Sequence, residues 1–170
     1  IESGTYTDTF VLRTLDGRWH QLTRYEDRVV QAALGPVGSS GNVPVYLISL
    51  KGAARGQLLK LTVDPRSGRG AALAQAVVVL PEGRDTLVKE FGLRPTNLAL
   101  TANRIFATYQ LGGPNEIRIF DLEGKPQKAP TQFAVGAVTD VVATGSGDAV
   151  LFRNLSYIDA ATWLAFDAAA

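Results

Sequence analysis

Short stretches in which apolar and polar positions alternate run along almost the whole chain, separated by turn residues. Four of them are variants of one element: FVLRTL, LLKLTV, EIRIFDL and WLAFDA. Alternation with a period of two predicts strands, because successive side chains of extended backbone point to opposite faces. With Leu12, Leu59, Ile119 and Leu164 as equivalent points, the steps are 47, 60 and 45 residues. Short strands repeating at a spacing in the forties predict the four-stranded blades of a β-propeller. The predicted class is all-β, a partial β-propeller of about two complete antiparallel blades and two incomplete ones.

Along the chain, Thr9 to Leu15 alternates, Asp16-Gly17 is a favoured two-residue hairpin turn, and Arg18 to Thr23 returns. This predicts a half-blade over residues 1–27. A blade over 28–87 follows from Val29 to Leu34, a Gly/Ser-rich loop over Gly35 to Gly41, Val43 to Leu50, Gln57 to Val63 and Gln75 to Leu80. Val43 to Leu50 is apolar on both faces, which predicts a middle strand sandwiched between sheets. A blade over 88–134 is read from Thr96 to Leu100, Arg104 to Leu111, Glu116 to Leu122 and a strand near Thr131 to Phe133. Pro81 to Pro95 holds room for one helical turn capped by Asp85. A partial blade over 135–170 comes from Val138 to Thr144, Ala149 to Ser156 and Thr162 to Phe166. No long linker interrupts the 170 residues, which predicts a single domain.

Composition narrows the function classes. With 46% hydrophobic residues the chain can bury a sizeable core. Lys plus Arg number 17 against 16 Asp plus Glu, a net charge of +1, which gives no electrostatic basis for binding nucleic acid or an anionic membrane. No apolar run reaches spanning length and no signal-peptide pattern opens the chain. A soluble protein is expected, and the cytoplasm and the periplasm both remain open. The chain starts with Ile and has no Met, as expected of an excised or processed segment. It has no Cys, hence neither disulfides nor thiolate metal sites.

Candidate chemistry is sparse. A hydrolase nucleophile elbow needs Gly-x-Ser-x-Gly, since the strained turn demands small residues around the Ser. Gly38-Ser39-Ser40-Gly41 and Gly145-Ser146-Gly147 both lack that spacing. His20 is the one His, and a triad would need it as the base with an acid and a Ser converging on it. It reads as a surface or blade-edge side chain, and no catalytic residue is assigned. A single His likewise argues against a transition-metal site, and no metal or cofactor is expected. Gly35, Gly38 and Gly41 precede a strand, not a helix, so they read as a loop and not a phosphate cradle. Arg66 to Gly70 is basic but lacks aromatics for stacking bases, so it reads as a solvated hairpin tip. Asn154-Leu155-Ser156 fits the glycosylation pattern but lies in an apolar strand. Gly145 to Asp148 offers oxygens to a cation, though a tight turn accounts for it more simply.

Several stretches resemble the propeller domain of the prolyl oligopeptidase family of serine peptidases. They are VLRTLDGRWHQLT, VYLISLKGAARGQLLKL, LVKEFGLRPTNLAL, RIFATYQLGGPNEIRIFDLEGKP and DAVLFRNLSYIDAATWLAFD, spanning about Phe10 to Asp167. One departure is Ala160-Ala161, where the family commonly has Pro after the Ser-aromatic pair. The resemblance implies later blades of a seven-bladed propeller that gates an α/β-hydrolase domain, admitting short peptides and excluding folded proteins. The hydrolase triad would lie outside this chain, so the segment itself is expected to be inactive. Its implied partners are the parent's peptidase domain and the peptide passing the propeller.

On that reading, innermost strands supply tunnel-facing side chains, and Gln31, Thr96, Asn97 and Asp140 are the candidates. The alternative is that they cap strand ends. The rival function is a non-catalytic propeller binding a protein or small ligand. A partial ring also leaves two end faces uncovered. Several hundred Å² of apolar surface on each is worth on the order of 10 kcal/mol at ~25 cal/mol/Å². Self-association of the isolated segment is therefore expected.

Overall fold

The structure is a computed structural model that describes residues 11–87, 97–133 and 135–168. The chain is all-β, of the partial β-propeller class, and it divides into two units, 1–83 and 84–170. Among the described residues the helical turns are two short 3-10 turns, Tyr25–Asp27 and Leu73–Gln75.

In the first unit a hairpin, β1 (Val11–Arg13) and β2 (Trp19–Gln21), accompanies a four-stranded antiparallel sheet. That sheet is β3 (Val29–Leu34), β4 (Val43–Ser49), β5 (Gln57–Val63) and β6 (Val77–Leu80), paired in chain order. Leu12 packs with Leu22, Val29, Val45, Leu47, Leu61 and Val63 in one apolar layer. Six consecutive residues of β4, Pro44 to Ser49, are buried. The both-faces-apolar pattern has the burial it predicts for a middle strand.

The hairpin turn departs from expectation. Asp16-Gly17 is not a two-residue turn, because Thr14 donates its N–H to the Arg18 carbonyl and closes a three-residue loop. Gly17 takes the left-handed conformation at φ 86°, the usual third position of such loops. Asp121 to Lys125 closes in the same way. Thr9 and Phe10 of the expected strand lie outside the described residues. The strand expected from Gln75 starts later, at Val77, because Leu73–Gln75 forms a 3-10 turn.

In the second unit one sheet contains β7 (Thr86–Leu87), β8 (Leu98–Leu100), β9 (Arg104–Gln110), β10 (Asn115–Asp121) and β11 (Pro126–Gln127). Both β7 and β8 pair with β9, and β10 joins β9 to β11. The other sheet is β12 (Ala137–Ala143), β13 (Ala149–Leu155) and β14 (Thr162–Asp167). The two stack face to face through Phe106, Ile117 and Ile119 on one side and Val138, Val141, Val150 and Phe152 on the other. Leu164 and Phe166 extend this layer.

Two elements of this unit correct the sequence reading. The outer strand is Pro126–Gln127, not Thr131 to Phe133. Instead the Gln132 side chain lies on the β10 edge. Its Oε1 accepts the Ile117 N–H at 2.7 Å and its Nε2 donates to the Ile117 carbonyl at 3.0 Å. One carboxamide thus makes the two bonds a neighbouring strand would make. Asp85 caps no helix, since β7 follows it directly; its carboxylate accepts from the Arg118 guanidinium. The rest of the Pro81 to Pro95 stretch expected to hold this turn, from residue 88 on, lies outside the described residues.

Candidate functional site

The sequence assigns its site candidates to innermost strands; Gln31 and Asp140 lie on the first strands of their sheets, and Asn97 lies directly before β8, which follows β7 in its sheet. Gln31 is on β3 and Asp140 on β12, each one residue past an irregularity in strand pairing. The register shifts between Val29 and Gln31 and between Val138 and Asp140. An extra residue in one strand bends it and re-aims the side chains that follow, a feature common at sheet edges and beside binding sites. Gln31 is 4% exposed and its Oε1 has no hydrogen-bond partner. Asp140 is half-buried and accepts from the Thr139 hydroxyl at 2.9 Å. Asn97 is buried directly before β8, and its carbonyl accepts the Thr108 N–H. β8 packs beside β12, so Asn97 and Asp140 lie beside or on neighbouring strands of one unit, whereas Gln31 is in the other unit. Thr96 lies outside the described residues.

The stacked sheets of the second unit are polar at both ends of an apolar middle. At one end Asn115, Asn154, Thr108 and Asn97 are buried. The Asn115 carboxamide oxygen accepts the Val138 N–H, and that of Asn154 accepts the Phe133 N–H at 3.3 Å. Asn154 is 1% exposed, so the glycosylation pattern it heads is inaccessible in the fold. At the other end Asp148 accepts from the Thr101 hydroxyl, the Asn103 N–H and the Asn103 carboxamide. Burial opposes ionisation of Asp148, but these donors outweigh it and hold the carboxyl below its ordinary range. The carboxylate of the Gly145 to Asp148 turn is thus engaged by protein donors, and no metal-ligating cluster occurs among the described residues.

A cleft of about 310 Å³ lies along β10, lined by Leu111, Pro114, Glu116, Arg118, Pro130 and Phe133 among others. Arg118 is its main charged group. The guanidinium sits 4.5 Å from the centre of the Tyr109 ring and bonds Glu116 at 2.7 Å as well as Asp85. Burial works against this cation, yet the hydrogen bonds with Asp85 and Glu116 carry its pKa above the usual value. Burial in turn pushes the Tyr109 hydroxyl up. With two carboxylates already on it, Arg118 acts as a clamp between β7 and β10 more than as an anion receptor.

His20, expected at the surface or at a blade edge, lies on β2 of the two-stranded hairpin. Its ring is half-buried, its Nε2 is enclosed without a partner, and it lies on Gly68. Arg66, Ser67 and Arg69 around that glycine are not all alike: Arg66 and Arg69 keep to the hairpin tip, and the Ser67 hydroxyl donates to the Asp64 carboxylate at 2.6 Å. The turn-to-turn contacts of Asp148 were missed. Their signal was present in separations of 45 and 47 residues, one blade period, between turn residues able to donate and accept.

Compared with solved structures, the chain matches one from a structural and mechanistic study of two prolyl endopeptidases that addressed inter-domain dynamics in catalysis and specificity. The TM-score is 0.65 at 17% identity, over 91% of this chain and 20% of that one. The two share a fold, and this chain corresponds to about a fifth of the other's length. No family model and no curated protein matches the sequence. No helix among the described residues is long and apolar enough to cross a membrane.

Proposed function

We propose that this chain is part of the substrate-filtering propeller of a prolyl oligopeptidase-like serine peptidase that acts on short peptides. The observation that carries this reading is the shared fold over 91% of the chain with part of a prolyl endopeptidase. The sequence resemblance to the later blades of that family supports it independently. In this role the segment supplies passage wall and contact with the parent's peptidase domain, and it contributes no catalytic group. Gln31, Thr96, Asn97 and Asp140 are the proposed wall residues. The shared position of Gln31 and Asp140 beyond a pairing irregularity supports the choice of those two.

The test compares this segment with a longer chain that contains it, using a proline-containing chromogenic peptide. Hydrolysis by the longer chain and none by the segment is the expected result. A longer chain without a downstream Gly-x-Ser-x-Gly and later Asp and His would sink the reading. It would favour a propeller that binds a protein or small ligand instead.

A further inference from the structure

Two turns of the first unit meet and bring four arginines to one end of it. In a sheet paired in chain order, the β3–β4 and β5–β6 connections leave at the same end. The β1–β2 turn joins them there: Leu15 donates its N–H to the Pro65 carbonyl at 2.8 Å, and the His20 ring lies on Gly68. Arg18 stands on one of these adjoining turns, and Arg66 and Arg69 on the other. Arg13 reaches the first turn as well, its guanidinium 3.5 Å from where a β-carbon on Gly17 would stand. All four arginines are exposed.

The carboxylates at this end are taken up by their own turns. Asp16 accepts from the Thr14 hydroxyl and the Arg18 N–H and pairs with the Arg18 guanidinium at 3.4 Å. Asp64 accepts from the Ser67 hydroxyl at 2.6 Å and the Arg66 N–H at 2.9 Å. These bonds hold both carboxyls below their ordinary range and both carboxylates to the turns. Arg13, Arg66 and Arg69 have no carboxylate at ion-pair distance among the described residues. The rest of the β5–β6 connection and the β3–β4 connection, Gly35 to Asn42, add no acid. Neighbouring blades stack on sheet faces and leave such end connections outward, so this surface stays free in a longer propeller.

Charge identifies the partner. Guanidinium forks fit carboxylates, and forks spread over two turns match several carboxylates on an extended chain better than one small anion. None of the three connections carries an aromatic side chain to stack bases, which disfavours nucleic acid. We propose that this end of the first unit binds an acidic, extended segment of a partner protein.

Fluorescence anisotropy of a labelled octaglutamate peptide, titrated with the whole chain at low salt, tests this. Saturable binding is expected, and it should weaken at least about tenfold at physiological salt, where exposed charges are screened beyond about 8 Å. Arg66→Glu combined with Arg69→Glu should weaken it at least about tenfold, because both charges reverse at the contact. Lys125→Glu combined with Lys128→Glu makes the same change in net charge in the other unit and should cost less than about twofold. All four of these side chains are exposed, and an unchanged unfolding midpoint confirms that each variant folds. Absence of saturable binding, equal losses from the two variant pairs, or tighter binding of a DNA strand of equal charge would each overturn the proposal. None of these outcomes depends on whether the longer chain is a peptidase.

Discussion

The Asp148 carboxylate accepts the Thr101 hydroxyl at 2.7 Å, across 47 residues of sequence and between two hairpin turns. The same carboxylate takes both the backbone and side-chain N–H groups of Asn103. A backbone bond reinforces the junction, from Ala102 N–H to the Gly147 carbonyl, while Ala168 N–H to the Asp148 carbonyl extends the β13–β14 pairing. The apolar layer between these sheets is non-directional and tolerates sliding. A 3%-exposed carboxylate with three fixed donors does not, and it sets the register in which the sheets stack.

Asp148→Asn should therefore destabilise the second unit by about 2–3 kcal/mol, because an amide nitrogen would face the donors of Thr101 and Asn103. Urea unfolding measures this. The folded-state pKa of Asp148 lies below the ordinary 3.8, so its contribution is present above that value and lost as pH falls through the folded pKa. The gap between wild type and variant should thus be constant near neutrality and shrink below about pH 4. A gap that widens in acid would contradict the assignment.

Arg28 is the one non-glycine among the described residues with positive φ, at 49°. It closes the 3-10 turn by donating its N–H to the Tyr25 carbonyl. An L side chain in this conformation costs about 1–2 kcal/mol, while glycine costs about 0.5–1 kcal/mol in chain entropy. Arg28→Gly is expected to stabilise the first unit by about 0.5–1 kcal/mol. Thermal unfolding of the two proteins side by side decides the sign.

Strands declared themselves in the sequence wherever alternation was long and uninterrupted. β3, β4, β5, β9, β10, β13 and β14 fall within two residues of where the pattern puts them. Short outer elements did not, because two residues carry no periodicity. Pro126–Gln127 pairs with β10 only at Phe120 and Ile119, and TQF read as a strand because it lies alongside β10 without becoming one. The hairpin turns were placed correctly but typed wrongly at Asp16-Gly17, since a glycine in left-handed conformation serves both loop lengths. Among site candidates the sequence pointed to innermost strands, and Gln31 and Asp140 sit on the first strands of their sheets. The irregularities that re-aim them depend on pairing partners and leave no local mark. Asp148 was legible as a turn residue, but its donors sit a blade away.

Gln132→Ala should leave the Ile117 N–H and carbonyl without their partners and cost about 1–2 kcal/mol. It should also expose part of the β10 edge, where free backbone groups template pairing with other chains. Gln132→Glu should not rescue, because a carboxylate repels the Ile117 carbonyl that Nε2 now satisfies. Unfolding midpoints and light scattering on warming test both points. Unchanged stability in the alanine variant would mean that water replaces the carboxamide at no cost.

A β-carbon on Gly68 would collide with the His20 ring, and Gly68 holds φ +71°. Gly68→Ala therefore combines backbone strain of about 1–2 kcal/mol with a steric conflict. Only the conflict depends on His20. In a double-mutant cycle His20→Ala removes the ring, so the glycine substitution should cost less in that background than in wild type. The difference isolates the contact that seats the β1–β2 hairpin on the β5–β6 turn, which Leu15 N–H to the Pro65 carbonyl also joins at 2.8 Å. Additive costs in urea unfolding would mean that the ring swings aside freely, and that the hairpin is held by Leu12 and the backbone bond alone.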